Sequence, residues 1–264
     1  VFATSGALDD LSYSDKKADL TEYFGEVSEN EAIVVRNGEY TEERVTLIGG
    51  NPYVNYDIVK SDYVSRFYHD EKLNQILYTN ATETLRTTIG TNTYGPSGVE
   101  YTLSAPATSI RGETLYMSFE YLKLFTTLDY TIKGGNDGTP YRIEIFTSSE
   151  TVRSATLEEE KAIRVAAGKK EKVLVKPAKG TQLRVFENAG DETLADGWVK
   201  VMTDDYYIGY IEKKHLSDVT DTQISVNEVE PLNITPVRKD GDVVLGWSMI
   251  AGQSGNDTIY SQLD

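Results

Sequence analysis

The sequence predicts a duplicated α+β domain over residues 1–155, a small all-β barrel over 156–219, and a linker with one further strand over 220–264. Three observations carry that division. The charge balance shifts twice: residues 1–155 hold 13 basic and 23 acidic side chains, 156–219 hold 11 and 12, and 220–264 hold 2 and 7. A Tyr-rich motif occurs twice, roughly 60 residues apart. The middle segment breaks into short β-rich runs with turn signals about every ten residues, the signature of a small barrel or sandwich.

Residues 14–24, SDKKADLTEYF, place Ala18, Leu20 and Phe24 where one short helix would carry them, with Ser14 and Asp15 as caps. From Ala32 the pattern becomes alternating, in AIVVRNGEY and ERVTLIGG. Asn37-Gly38 between apolar runs predicts a hairpin, because both residues tolerate the positive φ of a type I′ turn. GNPYVNYDIV at 50–59 returns as GETLYMSFEYL at 112–122, Tyr53-Val54 answering Tyr116-Met117 and Tyr56 answering Phe119. Each copy precedes another β-rich run, NQILYTN or YRIEIFTS, so a unit of strand, short helix and further strands is expected twice. Between the copies, residues 87–110 are rich in Thr, Gly, Ser and Pro and read as a long loop or excursion hairpin. The barrel strands are AIRVAA, EKVLVKP, TQLRVFE, GWVKVMT and YYIGYIE. Residues 219–240, with Pro231 and Pro236, read as an extended linker, and VVLGW at 243–247 as a buried strand, either the first of a following parallel barrel or an added strand of the duplicated domain.

At 264 residues the chain can bury a sizeable core. It has no cysteine, hence no disulfide framework, and no apolar run near the roughly 20 residues a membrane helix needs. A net charge of -16 argues against nucleic acid or an anionic membrane as partner, since both require a basic field. Opening on Val1-Phe2-Ala3-Thr4 fits a chain whose targeting segment has been removed.

Chemical landmarks are sparse. His69 and His215 are far apart in sequence with no cysteine to assist them, so neither a metal centre nor another cofactor is expected. GGNDG at 134–138 places Asn136 and Asp137 where a calcium ion could be held, but it reads better as a glycine-supplied turn. No G-x-S-x-G elbow occurs, and the many carboxylates read as a solvated surface, so no catalytic residue is assigned. The densest feature is GWVKVMTDDYYIGYIEKKHL at 197–216. Strand alternation sends Val199 and Val201 to one face, the core set, and Trp198, Lys200 and Met202 to the other. Trp198, Tyr206, Tyr207 and Tyr210, with Asp204 and Asp205 at the turn, are the candidate ligand-binding residues, because rigid aromatic rings stack on sugars or peptide planes with little entropy loss. The alternative is that Trp198 and Tyr210 plug the ends of a small barrel.

Residues 161–217 resemble a bacterial SH3 (SH3b) domain: Ala162-Ile163-Arg164, Gly180-Thr181, Gly197-Trp198-Val199-Lys200-Val201 and Gly209-Tyr210-Ile211 stand where that family has its recurring strand and turn motifs. The chain departs at Tyr210, where many members have Trp, and after Arg164, where the usual R-x-G-P run is missing. Residues 32–147 are similar to copper amine oxidase N-terminal-like domains of Firmicute surface proteins, through PYVNYDIV, RFYHDEKLNQILYT and LYMSFEYL. The two in this order resemble the region preceding the barrel of extracellular family 18 glycoside hydrolases, whose D-x-x-D-x-D-x-E strand does not occur here. The resemblance implies a non-catalytic, secreted accessory region that attaches to cell-wall peptide or glycan. A wall hydrolase using an acidic pair, and a structural or dimerisation unit, are the alternatives.

Overall fold

The computed structural model describes residues 13–80, 82–136, 138–187 and 197–229, and the backbone of strands Ile234–Lys239 and Asp242–Met249. The protein is mostly β, 48% strand and 10% helix, which corrects the expected α+β domain. The helical pieces Leu20–Phe24, Tyr56–Ile58, Val59–Tyr63 and Phe119–Leu122 are three to five residues each, too short to form a layer against a sheet. The chain divides into two compact units, Val1–Leu47 with Asp129–Val226, and Ile48–Leu128 with Asn227–Asp264.

The first unit contains a seven-stranded sheet in the order Val173–Val175, Ile163–Arg164, Ile208–Glu212, Trp198–Met202, Gln182–Phe186, Glu150–Leu157, Leu216–Ile224, with antiparallel neighbours throughout. Leu157, Ile163, Leu183, Val199, Val201 and Ile211 form one buried cluster, with Val175 and Leu216 packed against it. These residues come from both ends of the strand order, so the sheet rolls around a single core. Each fully buried aliphatic side chain contributes about 2 kcal/mol. Gly209 makes the crossing of Ile163–Arg164 feasible: a Cβ there would lie 2.5 Å from the Arg164 carbonyl oxygen. A one-turn 3-10 helix, Lys213–His215, precedes the last strand. That strand begins at Leu216, and its polar sequence fits, because it lies mostly exposed at the sheet's edge and gives little beyond backbone pairing to Glu150–Leu157.

Four further strands of this unit run in the order Asp129–Lys133, Tyr141–Phe146, Glu31–Arg36, Glu39–Ile48, the central pair parallel. Ala32 to Val35 are all buried, which is why their sequence is a continuous apolar run instead of an alternating one. Asn37 and Gly38 have φ of 50° and 69° and close the hairpin their sequence predicts. The helix expected over 14–24 shrinks to Leu20–Phe24. Its cap is Asp19, whose carboxylate accepts the amides of Thr21 and Glu22 at 2.8 and 3.3 Å, in place of Ser14 or Asp15.

In the second unit, Asn51–Asn55, Thr114–Ser118 and Thr108–Arg111 form antiparallel pairs. Phe67–Asp70, Gln75–Thr79 and Thr84–Thr88 form a meander, and Thr93–Tyr94 with Tyr101–Thr102 an excursion ladder. Phe67, Tyr78, Tyr121 and Phe125 make the aromatic core, with ring centroids 4.4 to 6.1 Å apart. The two motif copies are each a strand ending in a capped single turn: Asn55 accepts the Asp57 amide at 2.8 Å, and Ser118 accepts that of Tyr121 at 3.1 Å. The two strands pair with each other, Met117 opposite Val54. The likeness stops there, because Gln75–Thr79 stays in this unit whereas Tyr141–Phe146 belongs to the first. VVLGW lies in Asp242–Met249, which pairs antiparallel with Ile234–Lys239 inside the stretch read as linker. The burial expected of its side chains lies outside the described residues.

Candidate functional site

The site is built on the strand Trp198–Met202, the turn after it and the strand Ile208–Glu212. Thr203 folds the turn back: its carbonyl accepts the Tyr206 amide at 2.9 Å, its amide donates to the Tyr207 carbonyl at 3.0 Å, and its hydroxyl accepts the Tyr207 amide at 3.1 Å. Tyr206 adopts φ of 60°, an uncommon conformation for a bulky residue. Asp204 and Asp205 are exposed. The Asp204 carboxylate pairs with Lys133 at 2.8 Å, and the Asp205 carbonyl accepts from Arg142 Nε at 2.9 Å.

Arg142 is completely buried. Its Nη1 donates to Thr139 Oγ1 and to the Pro140 carbonyl, both at 2.8 Å. The rings of Phe24 and Tyr207 lie 4.9 and 5.0 Å from its guanidinium carbon. Gly134 and Gly135, at φ of 84° and 81°, carry the loop against this cluster. A Cβ on Gly135 would enter the Tyr141 ring. Asp137 of this loop lies outside the described residues. Beside it, an open cleft of about 680 Å³ is lined by Phe24, Glu26, Glu29, Thr139, Pro140 and Tyr141 among others.

The structure places the six sequence-predicted residues in different settings. Val199 and Val201 are core as expected, and Trp198 is buried as well. Met202, on the supposed outer row, packs with Val35, Tyr206 and Ile208. Tyr206 is buried, and its carbonyl accepts from the Tyr40 hydroxyl. Burial, reinforced by the charge of Glu144, pushes its phenol far above the ordinary range. Residues 204–207 thus gather in one turn on Arg142. Tyr207 and Tyr210 are half-buried, and Tyr210 lies across from Lys200 and Arg164. Trp198 sits at the opposite end of its strand from the turn, about 13 Å away at 3.3 Å per residue.

A second cluster, unforeseen from the sequence, surrounds Tyr13. Its ring lies 4.5 Å from Lys161 Nζ, 5.0 Å from Lys169 Nζ and 5.3 Å from Arg164 Cζ, and its hydroxyl donates to Glu212. His215, buried, sits between Glu159 at 2.7 Å and Glu212 at 3.3 Å. The Tyr13 phenol is pushed up to about 12, first by burial and then by the hydrogen bond to Glu212 and its charge, against the pull of Lys214. The Glu212 carboxyl sits below its ordinary value: burial would raise it, but the bond from Tyr13 and the charge of Lys214 outweigh that. Because the phenol's value is raised, its tie is complete below its ordinary 10.0 and is lost as pH rises towards about 12. Subtracting the tyrosinate titration of Tyr13→Phe from that of the parent should leave a curve centred near 12; a centre near 10 would show that the phenol is not held.

Among the described residues, no group of three or more His, Cys, Asp or Glu side chains is gathered as a metal ion would require. Among the described residues, no helix is long and apolar enough to cross a membrane. The sequence signal for Arg142 was present in YRIEIF, where Arg142 and Glu144 share one face of a strand whose other residues are mostly apolar. No local signal marks Tyr13. Comparison with protein families, with curated proteins and with solved structures finds no match to this chain.

Proposed function

We propose that the chain is a non-catalytic attachment region of a secreted, wall-active glycoside hydrolase, in which the rolled sheet of the first unit is an SH3b-type module for cell-wall peptide or glycan. The observation that supports it best is connectivity. The five runs expected as barrel strands, at Ile163–Arg164, Val173–Val175, Gln182–Phe186, Trp198–Met202 and Ile208–Glu212, three of which carry SH3b-like motifs, are strands of one sheet around one core. The polar atoms and rings left to meet a ligand are Asp204, Asp205, Tyr207 and Tyr210. The second unit acts as spacer or second attachment surface.

The test is retention of the chain on purified peptidoglycan and on chitin, with muropeptide release followed in the same samples. Retention on either without release is the expected result; release would favour the hydrolase reading, and no retention on either would overturn the proposal. Truncating a stacked aromatic at a binding centre typically removes about 2 kcal/mol, roughly thirtyfold in affinity. Tyr210→Ala should therefore weaken retention by that factor while leaving the melting temperature within a few degrees, and equal retention would take Tyr210 out of the site.

A further inference from the structure

Residues 13–18, of which 14–18 are expected to be helical from the sequence, lie instead along the open edge of the rolled sheet. The Ala18 amide donates to the Val173 carbonyl at 2.8 Å, the Val173 amide donates to the Lys16 carbonyl at 2.7 Å, and the Ser14 amide donates to the Lys169 carbonyl at 2.8 Å. Lys17 forms a parallel bridge to Val173. Arg164, itself buried, donates from Nη1 to the Ser14 carbonyl at 2.8 Å. Val173–Val175 is the terminal strand in the sheet order, so these bonds use backbone groups that no sheet neighbour on that side takes up.

From this geometry we infer that the Val173–Val175 edge, with Lys161, Arg164, Lys169 and Glu212 beside it, is a strand-addition site for an extended peptide bearing a tyrosine, which residues 13–18 occupy as a resident competitor. Backbone bonds to an open edge supply sequence-independent affinity, and a side-chain pocket supplies selectivity. Here the pocket is unusual in its chemistry. Three cations face one ring, an arrangement that favours an electron-rich aromatic over an aliphatic residue, and the Glu212 carboxylate accepts a hydrogen bond from the phenol. Tyrosine alone among the aromatic residues offers both a ring for the cations and a hydroxyl at that position. The inference rests on the strap and its pocket alone and holds whichever wall ligand the module takes.

A tethered segment competes at an effective concentration in the millimolar range, so an outside peptide meets the site only when the strap is weakened. The probe is the hexapeptide Tyr-Ser-Asp-Lys-Lys-Ala, and the readout is hydrogen exchange at the Val173 amide in the full chain. In Tyr13→Ala that amide should exchange at least about tenfold faster than in the parent, and millimolar hexapeptide should restore its protection. The control peptide Ala-Ser-Asp-Lys-Lys-Ala should not. Protection at Val199 and Val201 reports that the core is intact; if Tyr13→Ala disturbs it, Ser14→Pro, which deletes the amide donated to Lys169, must give the same pattern. Unchanged exchange at Val173, failure of the hexapeptide to restore protection, or equal action of the two peptides would overturn the inference.

Discussion

Arg142→Ala should lower the stability of the first unit by about 3–5 kcal/mol, the range for breaking a buried, hydrogen-bonded charge arrangement. Three acceptors lose a donor at once: the Asp205 carbonyl, Thr139 Oγ1 and the Pro140 carbonyl. An unsatisfied buried acceptor costs about 1–3 kcal/mol, and the void left between the rings of Phe24 and Tyr207 adds to that. Arg142→Lys should be only partly better, since an ammonium point charge cannot reproduce the planar fork that reaches acceptors on two sides. With each kcal/mol worth about 2–4 °C in a unit of this size, a fall in melting temperature of about 6–20 °C is expected for the alanine variant. A variant that melts with the parent would show that the guanidinium is not what holds the 203–207 turn to the Tyr141–Phe146 strand.

Tyr206→Ala is expected to cost a similar 3–5 kcal/mol, the range for emptying a buried aromatic site. Its backbone adds a diagnostic sign. At φ of 60° glycine is unstrained whereas alanine carries roughly 1–2 kcal/mol of left-handed strain, so Tyr206→Gly should be the more stable of the two. That inverts the usual order for a core truncation, where the smaller residue does more harm. Tyr206→Phe keeps the packing with Val35, Met202 and Ile208 and should lie close to the parent. Thermal melts of the three variants check the order, and alanine proving more stable than glycine would contradict the turn conformation. Any loss of wall binding in Tyr206→Ala would accompany loss of fold, which leaves the exposed and half-exposed members of the stretch as the informative positions.

What the sequence disclosed was what neighbouring residues decide. Asn37-Gly38 closes its hairpin because two adjacent residues accept positive φ, and Val199 and Val201 enter the core together because alternation puts them on one face. The helix expected over 14–24 forms only from Leu20 for a distant reason: the backbone of Ser14, Lys16 and Ala18 finds partners at Lys169 and Val173, which no local pattern announces. The repeated motif was real as a strand and capped turn, but which sheet receives the next strand is a long-range decision. Met202 was assigned to an outward row, and alternation did separate it from the valines. A second buried cluster around Val35 takes up Met202, so at that end of the strand both faces are occupied. Charge in a strand usually marks the wet face, and the rings that enclose Arg142 come from the distant residues 24 and 207.

The first unit is assembled from two stretches of chain, Val1–Leu47 and Asp129–Val226, and this has a consequence for synthesis. The hairpin Glu31–Arg36 with Glu39–Ile48 emerges long before Tyr141–Phe146, the parallel neighbour of its first strand. At about 5–20 residues per second, translating the roughly 90 intervening residues takes about 5–18 seconds. Throughout that interval Ala32-Ile33-Val34-Val35, four consecutive side chains that are buried once folded, lack their parallel neighbour and leave one edge of the hairpin open. Such a run is prone to pair with any other exposed strand. Glu29 and Glu31 stand before it and Glu39, Glu42 and Glu43 after it, so acids on both sides act as gatekeepers while the ribosome is still working. Part of the chain's large negative charge thus serves the nascent protein as well as the finished one, in which Glu39 and Glu43 pair with Lys200 and Arg36.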